Sequence, residues 1–86
     1  MESTITITGL DNSKKPRQLF ADKIAGLSDE HFVKEAEGYI WLSAYANNNP
    51  RSDYHWMADA CHDEAARRGK PELYRRAWSK AKGDGA

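Results

Sequence analysis

One cysteine, Cys61, is the entire thiol content of this chain. No intramolecular disulfide can form, which excludes the stapled class of small secreted domains. No apolar run approaches the ~20 residues needed to cross a bilayer. Residues 1–10 lack the basic start and apolar stretch of a signal peptide. The expectation is a cytoplasmic protein with no membrane partner. Internal repeats and low-complexity tracts are also missing. So are a phosphate-cradling glycine loop, a GxSxG elbow, a dinucleotide fingerprint and an HExxH zinc motif. With none of these, the sequence predicts no enzyme and no cofactor.

The 86 residues carry 13 basic and 13 acidic side chains, for a net charge of zero. Their distribution is uneven. Between residues 28 and 64 there are eight acidic and two basic residues; between 65 and 82 there are seven basic and one acidic. Such a layout bears on partners rather than on fold. A chain of this length makes one domain with a modest core.

The pattern predicts an all-α fold, a small three- to four-helix bundle with a short extended N-terminal arm. Residues 1–15 form the arm and a turn, 16–82 the bundle, and 83–86 a frayed tail. Thr4, Ile5, Thr6, Ile7 and Thr8 alternate polar and β-branched apolar, which favours an extended strand. No second such run exists to pair with it, so the arm is expected to dock loosely or to pair with a partner, including a second copy of the chain. Pro16 can open a first helix with Leu19, Phe20, Ile24 and Leu27 on one stripe, ended by Gly26.

Ser28 before Asp29 and Glu30 is a strong helix start, with Leu27 and Phe32 at the positions of a hydrophobic staple. The second half of that helix, residues 39–46, is apolar nearly all round and predicts a central element packed on several sides, Trp41 included. The Asn47-Asn48-Asn49-Pro50 run stops it. A third helix, capped by Ser52 or Asn49, carries Tyr54, Met57, Ala58, Cys61 and Ala65 on a core stripe and ends before Gly69. Pro71 opens a fourth helix. Its apolar side holds Leu73, Tyr74, Ala77, Trp78 and Ala81, with Arg75, Arg76, Ser79 and Lys80 opposite.

Four clusters of residues invite a chemical reading. Glu35, Glu37 and the Asp63–Glu64 pair are residue types of an acid/base dyad, but nothing in the sequence converges them on a pocket, and solvated charge is the expectation. His55, Asp59 and His62 share one helix face and are ligand types for a divalent metal, with His31 or Asp63 as a further donor; the competing reading is a solvated polar face. Cys61 and His62 are adjacent, but helix neighbours do not face each other, and Cys61 lies on the core stripe. The basic run Arg67 to Lys82, with Tyr74 and Trp78 interleaved, has the composition of a phosphate-contacting helix. Against that stand the neutral total and a core placement for the two aromatics. The same positive residues can also rest against the acidic middle segment. Trp56, close to Tyr45 and the loop 47–53, is the preferred exposed anchor, because Trp, Tyr and Arg dominate binding hot spots.

The segments YIWLSAYANNNPRSDYHW (39–56) and DACHDEAARRGKP (59–71) resemble small accessory proteins carried by bacteriophages and prophages. The resemblance brings no residue roles. It implies a context, the cytoplasm of a host cell, and a mode of action, binding and blocking a host protein such as a component of a CRISPR defence complex. The leading expectation is therefore a protein-binding inhibitor acting by occlusion. Its surface comprises Trp56, Tyr45, Asn48, Asn49, Arg51 and Asp53, with Arg68, Arg75, Arg76 and Lys80 steering an acidic partner. The alternative is a small nucleic-acid-binding protein using the basic C-terminal helix.

Overall fold

The Ser28 hydroxyl accepts a hydrogen bond from the backbone N–H of His31 at 3.2 Å, closing the start of the longest helix. In a computed structural model, which describes residues 4–83, this helix is the second of four. The four are α1 (Gln18–Ala25), α2 (Asp29–Tyr45), α3 (Asp53–Arg67) and α4 (Glu72–Ala81). The fold is an all-α bundle, with no strand among the described residues, and the tail expected beyond Gly83 lies outside them. Ser52 caps α3 through Tyr54 N–H. Gly69 takes the left-handed conformation just past α3, at φ 71°, where a side chain would be strained.

Helix α2 packs against both α3 and α4, and α1 lies against α3. Contacts between Arg68 and Asp29 at one end and between Ser43 and His55 at the other make α2 and α3 antiparallel. Between α2 and α4, Glu30 meets Arg76. The core is Phe20, Ile24, Phe32, Val33, Ala36, Ile40, Ala58, Ala60, Cys61, Ala65, Leu73 and Ala77. Its many alanines let the axes approach closely. The molecule measures 38 × 36 × 15 Å. The 15 Å dimension is less than half of either other one, so the bundle is flat.

The flatness corrects two readings from sequence. Trp41, expected to be packed, is 51% exposed, because α2 has neighbours on two sides and solvent on a third. Leu19, assigned to the first helix's core stripe, is 57% exposed. That helix also begins later than Pro16, since Pro16 and Arg17 form the preceding turn.

The N-terminal arm finds its partner within the chain. Gln18 accepts from Ile7 N–H at 3.0 Å and donates to the Ile5 carbonyl at 2.8 Å, so one carboxamide stands in for a neighbouring strand. Ile5 and Ile7 pack against the core. The turn that follows is pinned to α3. Asn12 N–H donates to the Asp53 carboxylate at 3.1 Å, and its side-chain amide donates to the Arg51 carbonyl at 2.9 Å.

Glu64 is fully buried in α3, at 0% exposure. It accepts from Arg67 at 2.8 Å and from Arg68 Nε at 2.7 Å. The Arg68 guanidinium continues to Asp29 at 2.7 Å and to the carbonyls of Ile24 and Leu27 at 2.9 and 2.7 Å, and it lies 4.7 Å from the Phe32 ring centre. Lys70 also pairs with Asp29. No buried side-chain polar atom among the described residues lacks a partner. Arg68 was assigned to a basic recognition stripe. It belongs instead to this internal network, where its charge is consumed.

Burial works to raise the Glu64 pKa, but hydrogen bonds and charge from Arg67 and Arg68 outweigh it and hold the group below its ordinary 4.5. Hydrogen bonds from Lys70 and then Arg68 hold Asp29 below 3.8. Both carboxylates bind protons more readily in the unfolded chain, so their contribution to stability is fully present above pH 4.5. It declines as pH falls through 4.5 and 3.8 and is lost as pH passes the lower folded-state values. Urea unfolding is expected to give constant stability between pH 7 and 5 and a decline below that. Arg68→Ala leaves Glu64 charged, buried and short of a partner. The expected loss at pH 7 is about 3–5 kcal/mol by urea unfolding, with a weaker dependence on acid than in the parent chain.

Candidate functional site

The outward face of α2 carries Lys34, Gly38, Trp41 and Tyr45, all exposed, at a spacing that keeps them on one stripe of the helix. Trp41 and Tyr45 stack, with ring centres 5.3 Å apart and planes 9° from parallel. Tyr45 is 77% exposed. Beside the stripe, α2 and the C-terminal turn of α4 enclose an open groove of about 770 Å³. Gly38, Trp41, Leu42 and Ala81 form its apolar part, and Lys34, Lys80 and Lys82 stand with Glu37 along its edges.

Trp78, on α4, is 43% exposed and lies 4.2 Å beneath the Lys82 ammonium, which corrects its assignment to the core. Tyr74 is half-buried; burial first, then the charges of Asp59 and Cys61, raise its hydroxyl pKa. Arg75 is exposed, and Arg76 reaches Glu30 at 3.6 Å. The basic run thus divides. Arg67, Arg68, Lys70 and Arg76 pair with Glu64, Asp29 and Glu30 inside the fold, while Arg75, Lys80 and Lys82 face solvent.

Trp56, expected as the exposed anchor, is not one. Its ring packs edge-on to Phe20 at 5.5 Å, the Arg17 guanidinium covers it at 4.9 Å, and its indole N–H donates to Asp53 at 2.9 Å. Asp53 is committed to that bond and to Asn12, so it too is structural. In the connecting loop Asn48 is exposed, the Asn49 side chain accepts from Arg51 N–H at 3.1 Å, and the Arg51 side chain faces solvent. Of the residues assigned from sequence, Lys80 lines the groove, Tyr45 stacks on the groove-lining Trp41, and the loop follows directly from Tyr45.

The metal reading fails on geometry. No three His, Cys, Asp or Glu side chains converge on a metal position among the described residues. His55 is held between Ser43 Oγ at 2.8 Å and the Asn49 carbonyl at 2.9 Å. A carbonyl only accepts, so Nε2 carries a proton and donates to it. This latch holds the loop against α2. His62 instead packs edge-on to Tyr74, with ring centres 5.1 Å apart, and lies 3.6 Å from Asp63.

Comparison of the chain with protein-family models, with curated proteins and with solved structures finds no match. The site therefore rests on its own geometry.

Glu64, expected from sequence to be a solvated carboxylate, is fully buried, and its position already carried the signal. It lies three residues after Cys61 on the core stripe and three and four before Arg67 and Arg68, the spacing of an internal ion pair. Cys61, beside it, is fully buried; burial, followed by the charges of Glu35 and Glu64, pushes its thiol up to about 12. In the folded protein at pH 8, iodoacetamide is expected to leave Cys61 unmodified over hours, while the urea-unfolded chain is alkylated within minutes. Mass spectrometry measures both.

Proposed function

We propose that this protein acts by stoichiometric binding, masking a surface on another protein with the face built from α2 and the end of α4. One observation carries the reading: the stacked Trp41–Tyr45 pair standing in solvent on the central helix. Large aromatics held rigid beside a groove are the side chains that supply most binding energy when a partner covers them. Lys34, Lys80 and Lys82 beside this face favour an acidic partner and speed its approach. The resemblance of residues 39–71 to phage accessory proteins supports a host protein as that partner, with CRISPR-type defence complexes as the class it suggests. In this reading the protein is an inhibitor by occlusion and turns over no substrate. The anchor moves from Trp56 to Trp41, and Tyr45 keeps its assigned role.

A second reading has an observation of its own. Trp78 is exposed beneath Lys82, with Arg75 on the same helix, and this combination suits a stacked base and its phosphates.

A Trp41→Ala/Tyr45→Ala double variant is expected to change stability by no more than about 0.5 kcal/mol per site, since both rings are exposed. It should lose the partner that the parent chain retains from nuclease-treated host lysate, with affinity falling by about 2–4 kcal/mol. Full retention by the double variant refutes the assignment of this face. A partner lost on nuclease treatment, with binding that weakens steeply as salt rises, selects the nucleic-acid reading.

A further inference from the structure

Gly38 lies in the interior of α2, where glycine is a poor choice. Glycine in a helix interior destabilises it relative to alanine. The fold does not require the substitution: a Cβ built on Gly38 meets nothing within 4 Å. The conformation is ordinary helix, unlike Gly9 and Gly69, which have positive φ. Gly38 is exposed, between Lys34 and Trp41 on the outward stripe, and it forms part of the floor of the α2–α4 groove. The missing side chain leaves bare helix backbone at the one place where the apolar floor is open.

Bare backbone flanked by a large aromatic favours the close approach of another backbone, since interaxial distance is set by the side chains at the crossing. The stripe from Lys34 to Tyr45 extends about 16 Å, or three helical turns. An amphipathic helix can present three or four apolar anchors over that length. The sign of the rim sets the partner's charge, with Lys34, Lys80 and Lys82 against Glu37. A second copy of this chain is a poor occupant. In a two-fold interface the same surface meets itself, which would set the lysine rim against its own image.

We propose that the α2–α4 groove receives an acidic amphipathic helix of a partner protein. Its backbone approaches most closely at Gly38, its apolar face rests on Trp41, Leu42 and Ala81, and its carboxylates reach Lys34, Lys80 and Lys82. The inference rests on the protein-binding reading above and adds the partner's shape, sign and point of contact.

The test uses a displayed library of 18-residue helical segments. All carry one apolar stripe, and the remaining positions are predominantly Glu, predominantly Lys, or neutral. The full chain is expected to enrich the Glu-rich class. A synthetic peptide of the best enriched sequence is then titrated by calorimetry against the parent chain, Gly38→Ala, Gly38→Gln and Trp41→Ala. Gly38→Ala is expected to raise Tm by about 4–8 °C while weakening peptide binding about tenfold. Gly38→Gln should weaken binding further while remaining folded.

Unchanged binding by both Gly38 variants, with Trp41→Ala still defective, overturns the close approach at Gly38 and leaves the protein-binding reading intact. Enrichment of Lys-rich segments, of neutral ones or of none overturns the acidic occupant. Self-association of the parent chain in sedimentation that Gly38→Gln abolishes assigns the groove to a second copy, and so overturns it as well.

Discussion

Glu64 places a negative charge in a core made largely of alanine, and the arrangement of the other elements follows from keeping that charge satisfied. Moving an ion out of water costs several kcal/mol even after relaxation. Two guanidiniums meet the carboxylate, and the second, Arg68, does more than neutralise it. The same side chain bonds the last carbonyls around the α1 terminus, the Asp29 carboxylate in the first turn of α2, and its own helix through Glu64. One planar group with five donors thereby fixes three helices at a single corner. Apolar residues of equal volume can match or exceed a buried ion pair in stability.

With that corner fixed, the bundle spreads wider than it is deep. A thicker bundle would bury α2 on all sides. This one gives α2 two neighbours and leaves a third side to solvent, where Trp41 and Tyr45 stack and Gly38 bares the backbone. The buried side, with Phe32, Val33, Ala36 and Ile40, and the aromatic side are therefore two faces of the same helix, so the aromatic face can change without disturbing the core. A continuous exposed aromatic patch on so small a molecule is a common mark of an interaction surface.

The helices were legible in the sequence because local chemistry declares them: Ser28 and Ser52 cap, Pro50 and Gly69 punctuate, and the apolar spacing of α3 and α4 marks Ala58, Cys61, Ala65, Leu73 and Ala77 as inward, though it also included the exposed Tyr54 and Trp78. The site was less legible, because it depends on which side of an all-round apolar helix goes uncovered. Residues 39–46 look alike in every direction, and only tertiary packing distinguishes Ile40 from Trp41. Trp56 was misjudged for the matching reason. Its helix-wheel position points away from the core stripe, but the chain folds back from its N-terminal turn, and Phe20, Arg17 and Asp53 close over it. The division of the basic run into paired and solvent-facing halves likewise required knowing that Asp29, some forty residues earlier, comes to the end of α3.

The carboxamide of Gln18 has a consequence of its own. A strand in a sheet is secured along its whole length by main-chain partners, whereas this arm is secured chiefly by one side chain and by the seating of Ile5 and Ile7. Such an attachment opens at a free energy well below that of the whole domain. The N-terminal segment is thus a separately melting unit, whose amides would exchange their hydrogens with water long before those of the helices beneath it.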